Sequence, residues 1–287
     1  MDRKKFLKNV LLGSGETIVG SKILKKDSTY NRLMQQVGFN HLPNLKNNLD
    51  MKTVLHRAET RGHANHGWLD SHHTFSFANY YHPERMHFGV LRVLNDDVVQ
   101  GGKGFGTHPH DNMEIISIPL EGDLEHQDSM SNKAVIKSGD IQVMSAGTGI
   151  RHSEYNKNSD SPVRFLQIWM FPNKKNVEPR YDQITLDDQN LSNNLVQILS
   201  PHQDDEGVWV HQNAWFSMGK LKKGWSGQYE IKAKGNGLYV FVIDGKVNVA
   251  GEELGKRDGF GIWDTAFVEI EVQNDAHVLL MDVPMEV

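Results

Sequence analysis

Cysteine is absent from all 287 residues. That excludes disulfide staples and thiolate metal sites, and it leaves any bound metal to nitrogen and oxygen donors. Long apolar runs are missing too: nothing approaches the ~18 residues of a spanning helix, so no membrane span is expected. Positive charge is not in excess, with 31 Lys+Arg against 36 Asp+Glu and a formal net charge of −5. Such a balance offers no electrostatic footprint for nucleic acid. Sustained 3.6-residue periodicity is also lacking from the body of the chain, which argues against a helical fold. What remains is an ordinary charged and apolar composition, 26 glycines and 15 histidines. Length over roughly 150 implies two domains.

Residues 1–50 differ in character from the rest. A basic cluster, Asp2-Arg-Lys-Lys-Phe-Leu-Lys8, precedes a weakly apolar stretch from Asn9 to Gly20. The layout is that of a twin-arginine export leader, but Lys4 stands where the second arginine belongs. Glu16 interrupts the apolar part, and no small-residue cleavage site follows. The expectation is a polar, partly helical extension, with Ser28 to Asn48 as a linker and the folded part opening at Met51. A cytoplasmic location is expected, with export as the alternative if the leader functions.

From His56 the texture turns to aromatic, glycine and histidine. Short alternating segments with turn residues every 8–12 positions predict an all-β barrel or sandwich. They include Phe75 to Phe77, His87 to Leu94 closed by an Asn95-Asp-Asp97 turn, Met113 to Leu120, Leu124 to Gln127, Ile141 to Ser145 and Val163 to Phe171. A linker is expected from Asn173 to Arg180. The second half repeats the pattern: Leu120-Glu-Gly-Asp-Leu resembles Ile243-Asp-Gly-Lys-Val, with turns read at Asp244-Gly245 and Ala250-Gly251. The two halves read as weak copies of one barrel, divided into 51–180 and 181–287.

Chemistry concentrates between Gly102 and Asn156. His108-Pro-His110 stands at one end and His152-Ser-Glu154 at the other. On a strand, residues at i and i+2 share a face. If the two segments lie side by side, three imidazoles and a carboxylate converge on one point, the donor set of a divalent first-row metal. Glu114 has the same parity as His110 and competes with Glu154 as the carboxylate. The second half has neither an H-x-H nor an H-x-E, so it is expected to be metal-free. Another histidine group, His63, His66, His72 and His73, reads as surface or strand-capping, for want of a carboxylate at strand spacing.

Four strings closely resemble the pirin family, nearest its bacterial members described as quercetin 2,3-dioxygenases. They are Arg61-Gly-His-Ala-Asn-His-Gly-Trp-Leu-Asp-Ser, Phe105-Gly-Thr-His-Pro-His-Asp-Asn-Met-Glu-Ile, Glu125-His-Gln-Asp-Ser and Gly147-Thr-Gly-Ile-Arg-His-Ser-Glu-Tyr-Asn156. The resemblance covers about Met51 to Val287. It implies two tandem cupin (jelly-roll) barrels with metal in the N-terminal one only. It also implies His108, His110, His152 and Glu154 as ligands, leaving Glu114 to support the structure.

The implied reaction is cleavage of a flavonol such as quercetin with O2 to a depside and carbon monoxide, with Glu154 as the catalytic proton acceptor. The alternative is a metal-binding regulatory or interaction protein with incidental oxygenase activity. One divalent transition metal is expected, iron(II) first, with Ni, Co, Mn, Cu or Zn as alternatives. Candidate substrate contacts are Phe75, Phe77, Phe105, Met113 and His126, the last also a candidate to orient a ligating histidine. A monomer is expected.

Overall fold

The computed structural model describes residues 51–287 and two short strands before them, Glu16–Val19 and Lys22–Lys25, which pair antiparallel. The leader-like and linker stretches otherwise lie outside the described residues. Contacts divide the chain into Met1–Asp50 and Met51–Val287. In the second unit the regular structure is almost entirely strand. Among the described residues helix is confined to a 3-10 turn at Ala58–Thr60 and one α-turn at Asp188–Leu191, where the Asp187 carboxylate accepts from the Gln189 amide.

The first barrel is a sandwich. A four-stranded sheet runs in the order Lys133–Lys137, Asp123–Asp128, Ile150–Asn156, Gly104–His110. It is covered by a seven-stranded sheet whose middle strands are Glu114–Glu121, Val163–Met170 and Leu91–Val99. Leu124 and Ile136 from the small sheet pack on Val99, Val163 and Phe165 from the large one. A second cluster joins Ile150 to Ile115 and Met144.

The large sheet has two buried faces, and strand parity sorts its residues between them. On Val163–Met170, Phe165, Gln167 and Trp169 face into the barrel, whereas Leu166, Ile168 and Met170 join the core shared with the second barrel. From the other side, Phe216, Tyr239, Phe241, Leu279 and Met281 complete that shared core. Burial on both faces explains why this strand reads as a nearly unbroken apolar run.

Several boundaries differ from expectation. Asn95-Asp-Asp97 is not a turn: Leu91–Val99 runs straight through it, with Asn95, Asp96 and Asp97 all buried. The carboxylates tolerate the interior because each has a partner. Asp97 accepts from the Ser71 hydroxyl, and Asp96 meets Arg61 at 3.3 Å and Arg257 at 3.0 Å. Asp244-Gly245 is not a hairpin either. It is an irregularity inside one strand, Asn236–Val249, paired along much of its length with Phe267–Pro284. Phe75 to Phe77 forms no strand; Phe77 makes an isolated bridge to Tyr80.

The two halves also exchange edge strands. Lys52–His56 pairs with Gly259–Trp263 in the second barrel's sheet, and Arg180–Thr185 pairs with Asp140–Ser145 in the first. The division expected at 180/181 is therefore crossed in both directions.

Glu114 stands at the start of its strand opposite Ser145, whose hydroxyl donates to Oε2 at 2.7 Å. Burial pushes its carboxyl up to about 7, and the Ser145 hydrogen bond offsets only part of that. Because the folded state holds this proton more tightly than the unfolded chain, the stabilisation is complete below about pH 4.5. It is lost as pH rises through about 7, a difference of roughly 3 kcal/mol at most. The urea midpoint of Glu114→Gln relative to wild type should therefore rise steadily from pH 5 to pH 8; a pH-independent difference would refute the buried-acid assignment. Asp96→Ala, which strands Arg61 and Arg257 against the shared core, should cost about 3 kcal/mol in the same measurement.

Candidate metal centre and cavity

Two neighbouring strands of the small sheet carry the donors. Gly104–His110 and Ile150–Asn156 run antiparallel, with His152 directly opposite His108 and Ile150 opposite His110. Alternation turns His108, His110 and His152 to the barrel interior together. Their ring centroids form a triangle with sides of 4.5, 4.8 and 5.0 Å. One ring nitrogen from each lies within 4.8 Å of the other two.

The three imidazoles fit a metal by their unspent nitrogens. His108 Nδ1–H donates to the Gly106 carbonyl at 2.8 Å, which fixes the tautomer and leaves Nε2 as a lone pair. His110 Nε2 and both ring nitrogens of His152 are buried without a protein hydrogen-bond partner. Unpaired buried polar atoms are rare in folded proteins, and one on each of two neighbouring rings, beside the free Nε2 of His108, calls for a ligand. Burial, reinforced by neighbouring imidazoles, lowers His110 to about 4 and His152 to about 3. Both are neutral at pH 7, the form a metal requires.

Glu154 is 2% exposed and occupies a different position from the triangle. Its carboxylate accepts from Ser117 Oγ at 2.8 Å and from Gln167 Nε2 at 2.7 Å. It clusters with His152 and His126. His126 is fully buried in mid-strand, at 3.2 Å from Asp128, with its ring tilted between those of His152 and Tyr181. Glu114, the other candidate carboxylate, joins neither histidine cluster.

A bulge shapes what else reaches the site. The register slips between His152 and Glu154, so that Glu154 faces Phe105 rather than Gly106. The extra residue falls on the Gly104–His110 strand and re-aims its first part. Phe105 and His108, of opposite parity in sequence, consequently line the same cavity. Gly104 sits where the strands close: a Cβ there would collide with the Glu154 carbonyl oxygen.

That cavity measures about 490 Å³, within the usual range for small-molecule sites. Its floor holds His108, Glu154, Gln167, Asn95 and Asp97, and its walls include Leu69, Phe77, Tyr80, Phe105 and Trp169. Of the expected contacts, Phe77 and Phe105 border it. Phe75 instead fills the core shared by the barrels, Met113 packs beside Ile115 and Met144, and His126 lies behind His152. Phe75 leaves the cavity because the segment that carries it is not a strand, so alternation with Phe77 does not apply.

Asp97, Gln167 and Trp169 also border the cavity, although no sequence motif marks them. Trp169 meets His110 edge-on at 4.8 Å, and burial pushes the Asp97 carboxyl up to about 7. The signal available for Gln167 and Trp169 was their shared parity with Phe165 in an otherwise apolar run.

Comparison with known proteins gives the family. The Pirin family model matches residues 54–170, and the model for the quercetinase C-terminal cupin domain matches residues 197–283. A quercetin 2,3-dioxygenase of Escherichia coli K12 is 46% identical over 230 residues, covering 80% of this chain and 98% of that protein. A pirin-like protein of Caulobacter vibrioides is 39% identical over 222 residues, 77% of this chain and 95% of its own. Among solved structures, the Escherichia coli bacterial pirin YhhW in complex with nickel(II) aligns with a TM-score of 0.78 at 44% identity, over 82% of this chain and 100% of that one. A quercetin 2,3-dioxygenase from Acinetobacter baumannii, at 19% identity and a TM-score of 0.67, shares the fold. With its paired cupin barrels and both family models matched in order, the chain belongs to the pirin family.

Proposed function

We propose that the protein is a metal-dependent dioxygenase that opens the heterocycle of a flavonol such as quercetin, with O2 as co-substrate and a depside and carbon monoxide as products. One observation carries this reading: three imidazoles with unspent nitrogens converge beside a mostly apolar cavity, which His108 lines. Homologues that carry the quercetin 2,3-dioxygenase name support the substrate class. In this reading His108, His110 and His152 hold one divalent ion in the first barrel, with Glu154 as the fourth donor, and the second barrel holds none. Iron(II) is the first candidate; the nickel complex of the related YhhW keeps nickel beside it. When bound, such an ion is a Lewis acid that makes a coordinated hydroxyl more acidic.

The remaining chemistry belongs to the side chains. The walls formed by Phe77, Phe105 and Trp169 take the flat aromatic rings and keep water from the floor. Glu154 accepts the proton of the substrate's 3-hydroxyl. Ser117 and Gln167 already donate to both of its oxygens, so the carboxylate is aimed before substrate arrives. Asp97, held near neutrality by burial and anchored by Ser71, offers a hydrogen bond to a ring substituent.

Oxygen uptake with quercetin, measured on protein loaded separately with Fe, Ni, Co or Mn, tests the proposal alongside elemental analysis. At least one form should consume oxygen and release carbon monoxide, and His110→Ala should lose both metal and turnover. Glu154→Gln should lower kcat about 10²- to 10⁴-fold, the usual worth of a positioned proton acceptor. Metal-loaded protein that consumes no oxygen with any flavonol would sink the oxygenase reading; turnover without oxygen would point to an isomerase or hydrolase. For specificity, Phe77→Ala should raise KM more than it lowers kcat, since it removes wall rather than floor. The opposite split would take Phe77 out of the substrate's binding surface.

A further inference from the structure

A second donor cluster stands on the hairpin formed by Gly62–Asn65 and Leu69–His73. His63 is the direct cross-strand partner of His72, and their rings stack at 4.4 Å with 17° between planes. Asp70 precedes His72 by two residues and so shares its face. Its Oδ1 lies 2.8 Å from His63 Nε2 and 3.8 Å from His72 Nδ1. Contrary to expectation, the histidine group therefore does have a carboxylate at strand spacing.

One donor atom from each of the three residues lies within 4.8 Å of the others. The side chains are 50%, 40% and 36% exposed, which leaves the two rings room to turn out of their stack and aim their in-plane lone pairs at one ion. A single carboxylate oxygen is hydrogen-bonded to one imidazole here and lies within ion-pair range of the other. Two protonated rings stacked this closely would repel, and one carboxylate neutralises only one of them. Two neutral rings and a carboxylate around one cation satisfy all three.

We propose that His63, Asp70 and His72 form a second divalent transition-metal site, of N2O type, separate from the buried triangle and set at the mouth of the same cavity. Imidazole with carboxylate suits Zn(II), Ni(II) or Cu(II). Binding displaces the proton that His63 Nε2 shares with Asp70, and the remaining coordination positions go to water. His63 also lines the cavity with His66, so an ion held here stands where ligands enter.

The test is stoichiometry on the full chain, stripped by chelator and dialysed against Zn(II). Wild type should hold two ions per chain. His72→Ala and Asp70→Asn, neither of which borders the cavity, should each hold one, with the second affinity weakened at least tenfold. His152→Ala should lose the other ion and keep this one, so that failure of the buried site and failure of the hairpin site are separately visible. His202→Ala, an exposed histidine elsewhere, should still hold two. A wild-type protein that takes up one ion only, or two ions retained by both hairpin variants, would overturn the proposal. Charge-transfer and d–d bands of the Cu(II)-loaded protein give a second readout: His72→Ala should remove one spectral component, and an unchanged spectrum counts against the site.

Discussion

The antiparallel pairing of Gly104–His110 with Ile150–Asn156 is the constraint on which the site depends. It sets His108 against His152 and brings His110 alongside, so that three rings meet at centroid distances of 4.5 to 5.0 Å. A slip of one residue would turn the histidines to the opposite face and scatter the donors. Gly104 guards that register, because any larger residue would meet the Glu154 carbonyl and force the strands apart. The bulge beside it breaks strict alternation at one place only, bringing Phe105 onto the cavity wall without disturbing the histidines.

Support for that pair comes from the sheet on the other side of the sandwich. Ser117 and Gln167 reach across to fix Glu154, and Trp169 packs against His110. Their strands are rigid because their reverse faces are buried against the second barrel through Leu166, Ile168, Met170, Phe216 and Phe241. The second barrel thus contributes to the site without touching it: it holds flat the sheet from which the supporting groups project. The exchange of edge strands, with Lys52–His56 in the second barrel and Arg180–Thr185 in the first, ties the halves together by backbone as well as by core. Asp96, shared between Arg61 and Arg257, adds a charged contact at the same seam.

Much of this was legible from local pattern. The short alternating segments announced strands, and Glu114–Glu121 and Val163–Met170 fall within a residue of where alternation and apolar runs put them. The H-x-H and H-x-E spacings marked the strands that face the interior. Where reading failed, local chemistry was overruled by partners far away in sequence. Asn95-Asp-Asp97 has turn composition, yet Ser71, Arg61 and Arg257 make a buried strand of it. Asp244-Gly245 looks like a hairpin, but a long partner strand continues past it and absorbs it as an irregularity. Phe75 and Phe77 alternate like strand residues and end in different environments, because no neighbour pairs with that segment.

By itself the sequence determined the kind of chemistry and the class of fold: no thiolates, donors in pairs two apart, and strand-length segments punctuated by turns. These follow from residue type and from the two-residue period of a strand, both of which are local. Which aromatics wall the cavity and which strand belongs to which barrel were decided only by the tertiary structure. Register, bulges and edge exchange depend on pairing energies between segments distant in the chain, and no window of sequence contains both members of such a pair.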